Sequence, residues 1–185
     1  MIDSVTRQKI TQCQVVVFYG SQTGTSKKLA QRFQKEFESS YGLKTGLINL
    51  NVFSNDNDNA NDANDDANAN ADMSDTENDK NSHCDIQNET LDILSNFPDD
   101  KIYVFFISSY GDGEQTDDAL QFYKDLKLTT VPTTKSNIRY CIFGIGSSLY
   151  EFYQEAAIDM NKELQRLGCE LIGTFGKGDD GKGST

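Results

Sequence analysis

The chain has 185 residues, 36% of them hydrophobic and 25% charged, with a net charge of −12, about the length of one domain. The acidic excess excludes a non-specific binder of phosphate backbones, which needs a basic face. No run of about 18 apolar residues offers a membrane span, and Met1 to Gln12 lack the apolar stretch of a signal peptide. Cys13, Cys84, Cys141 and Cys169 are scattered without a CxxC pair. With His83 as the single histidine, they leave little for a zinc site. The expectation is a reduced, cytoplasmic monomer that binds neither nucleic acid nor membrane and holds no metal.

In chain order, Gln14 to Tyr19 is a continuous apolar run ending at Gly20, as suits a strand buried on both faces of a parallel sheet. Leu29, Ala30, Phe33 and Phe37 follow at helical spacing. Thr45 to Leu50 predicts a second strand. Between Ser54 and Ser82 stand nine Asn, eight Asp and five Ala, with Met73 the one large apolar residue. Such a tract cannot bury enough surface to order itself and reads as a disordered insert. Its nine acids and one lysine account for eight of the twelve excess negative charges. Ile102 to Ile107 repeats the buried-strand signature. Ala119, Leu120, Phe122, Tyr123 and Leu126 form a helical face. Tyr140 to Phe143 predicts a strand stopped by Gly144. Ala156, Ala157, Met160, Leu164 and Leu167 line a third helix, with Gly168 as its C-cap, and Leu171 to Phe175 closes the set as a fifth strand. The alternation predicts one α/β domain over residues 1–185: a doubly wound parallel sheet carrying the insert at 54–82. Ligands of such sheets bind beyond the carboxyl ends of the strands.

Three loops at those ends carry chemistry. Gly20-Ser21-Gln22-Thr23-Gly24-Thr25-Ser26 joins a strand to a helix and holds four hydroxyls. A helix N-terminus with such donors suits a phosphate, and N-capping alone would need only one of them. The loop is not a Walker A sequence, and Gly144-Ile145-Gly146 lacks the third glycine of a dinucleotide fingerprint. The second loop runs Ser108-Ser109-Tyr110-Gly111-Asp112-Gly113-Glu114. The third runs Gly144-Ile145-Gly146-Ser147-Ser148-Leu149-Tyr150. Each places a tyrosine in a small-residue turn at a strand end, so Tyr110 and Tyr150 are matched to sandwich a flat ring. The acids Asp112, Glu114, Asp117 and Asp118 have two readings: steering a basic partner, or, for Asp117 and Asp118, favouring the dipole of the following helix.

Together the Gly-Ser-Gln-Thr-Gly-Thr loop, the Ser-Tyr-Gly-Asp-Gly-Glu segment and Phe143-Gly144-Ile145-Gly146 with Tyr150 resemble flavodoxin-like FMN domains, above all those of diflavin reductases. The resemblance runs from Val15 to Gly181, insert excepted. It implies a five-stranded sheet of order 2-1-3-4-5 and one non-covalent FMN. Carried over by position, Ser21, Gln22, Thr23, Gly24, Thr25 and Ser26 hold the phosphate. Tyr110 and Tyr150 stack on the two faces of the ring, and Ser108 and Ser109 are counted among the cofactor-binding residues. Gly111 offers a carbonyl to the flavin N5–H, Gly146 and Ser147 meet the ring edge, and Gly144 and Ile145 are counted among the cofactor-binding residues. Tyr153, Gln154 and Asp180 complete the site, and no catalytic acid, base or nucleophile is needed. The implied function is an electron-transfer module between a reductase donor of the NADPH/FAD type and a protein redox acceptor.

This chain departs from the family where Ser147, Asp118 and Gln154 replace Asn, Gln115 replaces Pro, and Phe152 and Tyr153 replace His and Phe. These changes bear on affinity and potential. The family's last helix, after the fifth strand, is missing before Thr185, which leaves sheet surface to be covered by the Ser4 to Cys13 segment or a partner chain. Three other readings remain. A quinone reductase would let NADPH alone bleach the flavin. The flavodoxin-like part of a radical tRNA wybutosine synthase would need a cysteine cluster. A flavin-less protein-binding scaffold would stay colourless.

Overall fold

The computed structural model describes residues 2–54, 92–132 and 136–179. The insert from 55 onward, His83, Cys84 and Asp180 lie outside them. The elements are α1 (Ser4–Thr11), β1 (Val15–Gly20), α2 (Thr25–Tyr41), β2 (Thr45–Asn49), β3 (Ile102–Tyr110), β4 (Glu114–Gln115), α3 (Asp117–Leu128), β5 (Arg139–Gly146), α4 (Glu155–Arg166), β6 (Glu170–Leu171) and β7 (Gly176–Asp179). Short 3-10 turns at Leu50–Phe53 and Ile93–Asn96 flank the insert.

The sheet runs β2-β1-β3-β5-β6, with β7 also paired to β5 and β4 to β3. All pairs are parallel except β3 with β4. Counting the main strands alone gives the flavodoxin-like order 2-1-3-4-5. The fifth position differs from the sequence expectation. The predicted strand Leu171 to Phe175 is instead two pieces, β6 and β7, with Gly173 between them at φ 76. A left-handed residue breaks an extended run, and glycine tolerates that conformation. β5 also runs further than expected, through Gly146, so the third loop begins at Ser147.

Side chains of β1, β3 and β5 alternate between two faces. Val16, Phe18, Tyr103, Phe105, Ile107, Tyr140 and Ile142 pack under α3 and α4, meeting Phe122, Leu126, Met160 and Leu164. Phe18 is the centre of this layer, its ring 5.4 Å from Phe105, 5.5 Å from Phe97 and 6.2 Å from Phe53 and Tyr103. Burial pushes the Tyr103 and Tyr140 phenols well above their usual range. Their hydroxyls donate to the Pro98 carbonyl and to Asn161 Oδ1, both at 2.7 Å, as buried polar groups require. The other face is smaller: Val15, Val17, Val104, Phe106 and Ile145 meet Ala30, with Leu29, Phe33 and Phe37 packed around them.

α1 corrects a further expectation. It is capped by Asp3, whose Oδ1 accepts from the Thr6 N–H at 2.8 Å. It buries Ile10, with Ile2 and Cys13, in the α3/α4 layer, and Lys9 Nζ donates to the Leu47 carbonyl of edge strand β2 at 2.5 Å. The Ser4 to Cys13 segment therefore covers the β2 side, not the sheet surface beyond α2. There, Phe106, Cys141, Phe143 and Ile172 line an open groove beside Leu29 and Phe33.

Candidate functional site

The carboxyl ends of β1, β3 and β5 meet at a cleft of about 430 Å³, a size typical of small-molecule sites. Loop one supplies Gln22, Thr23 and Thr25 to its wall. Gly24 is left-handed, at φ 91, and stands as the N-cap of the 17-residue α2 without any side-chain cap. The first N–H groups of α2 thus have no side-chain acceptor, the arrangement that receives an anion. Ser21 braces the turn, its Oγ accepting from the Gly24 N–H at 2.9 Å. Ser26 is fully buried, and its hydroxyl shares a hydrogen bond with Ser108 of β3. It ties loop one to loop two and does not line the cleft.

Loop two is a tight turn closed by Gly113 N–H donating to the Tyr110 carbonyl at 3.1 Å. Gly111 and Gly113 both have positive φ, 51 and 92. A Cβ at Gly113 would lie 2.7 Å from Phe152 Cβ, so glycine lets loop two press against loop three. Ser109 Oγ accepts from the Ala156 N–H at 3.2 Å, and Gln115 Nε2 donates to the Ala156 carbonyl at 2.6 Å. Both bonds lock loop two to the start of α4.

Loop three closes on itself, Tyr150 N–H donating to the Ser147 carbonyl at 3.1 Å. Ile145 is buried at the end of β5. Gly146 sits where a Cβ would lie 3.2 Å from Gln154 N and 3.3 Å from Tyr153 Cδ2, and Gly144 offers its carbonyl to Gln154 Nε2. Tyr110 and Tyr150 both line the cleft and are 52% and 72% exposed. Rings this open, on opposite loops of one cleft, have faces free for a planar ligand. Ser108, Ser109, Gly111, Ser147, Tyr153 and Gln154 share that lining.

Asp117 and Asp118 stand in the first turn of α3, as the helix-dipole reading expects, and each also holds loop one. Asp118 Oδ2 accepts from the Ser21 N–H at 3.2 Å, and Asp117 Oδ2 accepts from Gln22 Nε2 at 2.8 Å. Both carboxylates brace loop one. The Tyr19 phenol is pushed up, first by burial and then by the Asp118 charge. Phe152, 43% exposed on the cleft wall, is a cleft residue that the sequence marks only as a departure from the family's His. Among the described residues, no cluster of His, Cys, Asp and Glu could hold a metal, and no helix is long and apolar enough to cross a membrane.

The family model for flavodoxin matches residues 67–185. NADPH–cytochrome P-450 reductase of Aspergillus terreus is 30% identical over 191 residues, covering 98% of this chain and 22% of the reductase. The reductase of the same name from Aspergillus oryzae is 31% identical over 178 residues, covering 91% and 20%. The chain thus spans about a fifth of the length of these relatives. A flavodoxin variant from Pseudomonas aeruginosa superposes with a TM-score of 0.58 at 18% identity, over 91% of this chain and 85% of that one.

Proposed function

Since the chain belongs to the flavodoxin family, we propose that its cleft binds FMN and that the domain passes electrons from an NADPH/FAD-type reductase to a protein acceptor in the cytoplasm. The observation that carries this reading is the pairing of two open tyrosine rings with an uncapped helix N-terminus in one cleft. The ligand implied is flat at one end and anionic at the other. When bound, FMN supplies one- and two-electron transfer.

The chain's own residues orient and bias it. The α2 N–H groups with Thr23 and Thr25 hold the phosphate end. Tyr110 and Tyr150 flank the ring and shield it from water. The carboxylates of Asp112 and Glu114, in exposed loop two, oppose any gain of negative charge in the cleft. They also present an acidic rim to a basic partner.

The visible spectrum of the purified chain, with FMN added, tests the reading. A flavin band near roughly 450 nm that survives gel filtration supports it. A folded protein that stays colourless and leaves FMN fluorescence unquenched defeats it.

Asp118 makes a second measurement informative. Its carboxylate sits against the backbone of the phosphate loop, where a negative charge repels a dianion. Asp118→Asn keeps an oxygen acceptor for Ser21 and removes the charge. The expected result is about three- to tenfold tighter FMN binding at low salt, fading as salt rises, with riboflavin affinity unchanged. Equal FMN affinity in the two proteins would show that the charge is not felt at the phosphate.

A further inference from the structure

Gln154 breaks two local rules. It is the one non-glycine residue with positive φ among those described, at φ 63, a conformation that disfavours any residue with a Cβ. It also occupies the N-cap of α4, yet makes no side-chain cap bond, where Ser, Thr, Asp or Asn would. Strain retained beside a ligand cleft points to a role for the side chain.

That side chain is 1% exposed, and its Nε2 donates twice, to the Gly144 carbonyl of β5 at 3.1 Å and to the Gly178 carbonyl of β7 at 2.9 Å. The neighbouring Tyr153 hydroxyl donates to the same Gly178 carbonyl at 3.3 Å. Ser148 N–H, in loop three, donates to Asp179 Oδ1 at 3.0 Å. β7 needs such anchoring. Gly176 and Gly178 lie flat on the Phe143 ring, where a Cβ would come within 2.2 Å and 2.9 Å of it, so they bring no side chains to hold the strand. β6 and β7 are separate pieces, and β7 has strand pairing on β5 alone. The Gln154 Oε1 is buried without a partner in a residue that lines the cleft. The amide is therefore placed for its donor end, at the expense of its acceptor end.

We infer that Gln154 is a positioning residue that joins loop three to β7 as one unit, and that the hold on FMN depends on this joint. The FMN half of the inference rests on the function proposed above. The joint itself does not, because it exists in the chain without ligand.

Two variants of the full chain separate the roles. Gln154→Leu keeps the bulk and removes the amide. Gln154→Gly removes the amide and relieves the backbone. Hydrogen exchange of the apoprotein is followed over Gly176–Asp179 and over Ser147–Gln154, with Val15–Gly20 as the internal standard. FMN affinity and the visible circular dichroism of the bound flavin are measured beside it. In both variants, exchange over Gly176–Asp179 should rise about tenfold while Val15–Gly20 is unchanged, as two lost buried hydrogen bonds imply. FMN affinity should fall about tenfold with an altered flavin dichroism. Wild-type exchange over Gly176–Asp179 in both variants would overturn the inference. So would a Gln154→Gly protein that binds FMN as tightly as wild type, since Gln154 would then be only a strained cap. If Gln154→Leu does not fold, Gln154→Gly decides alone. A wild-type chain that binds no FMN defeats the functional proposal, and the exchange comparison still decides the joint.

Discussion

Replacing Tyr150 with alanine is expected to weaken FMN binding by about thirtyfold, the equivalent of about 2 kcal/mol of ring stacking. Tyr110→Ala should do the same, and Tyr150→Phe should retain most of the affinity. Tyr150 is 72% exposed, so apoprotein stability should change by less than about 0.5 kcal/mol. Fluorescence titration with FMN gives the first quantity, and thermal unfolding of the apoprotein the second. The contrast between them is the test, because a residue that serves the fold would lose both together. Unchanged affinity in the Tyr150→Ala protein would show that loop three does not stack on the ring.

Phe18→Ala should behave in the opposite way. Phe18 is fully buried, and its ring has five aromatic neighbours, Phe53, Phe97, Tyr103, Phe105 and Phe122. Truncation leaves a cavity bounded by rigid rings that cannot collapse into it, for a cost of about 3–5 kcal/mol. Against the typical 5–15 kcal/mol of a whole domain, that is a large share. Urea unfolding of the apoprotein measures it. A loss below about 1.5 kcal/mol would mean that the aromatic layer repacks around the gap.

The parts of this molecule legible in the sequence are those set by local pattern. Val15 to Tyr19 and Ile102 to Ile107 are apolar on every residue, and a strand so composed has to lie inside a sheet with both faces covered. The spacing of Leu29, Phe33 and Phe37 put α2 on that sheet. The three loops then followed from where such strands end. Features created by approach through space were not legible. Leu171 to Phe175 looks like a strand in composition, and only the turn at Gly173 divides it. Asp117 and Asp118 follow Thr116 at a helix start, which invited a helix-dipole or partner reading. Their acceptance of Gln22 and Ser21, 95 and 97 residues away, depends on how β1 and β3 align. Gln154 gave no sign that its backbone is left-handed, because glutamine carries no preference for that region. The course of α1 was hidden for a similar reason. Ile2 and Ile10 mark a face, but not the edge of the sheet that it seeks.

Two aromatic residues on either side of the polar insert meet in the core. Phe53 stands just before it and Phe97 fifteen residues beyond its end at Ser82, and their rings lie parallel at 6.2 Å with an interplanar angle of 7°. The chain between Phe53 and Phe97 therefore joins two points in contact and closes a loop. For a flexible loop, the entropy of closure grows only with the logarithm of length, about 0.6 kcal/mol for each doubling. With the insert read as the disordered tract its composition predicts, doubling its length would cost, and halving it would gain, less than a single buried methylene. On that reading, the length of the insert weighs little on the stability of the domain, whose strands on either side are held by their own pairing.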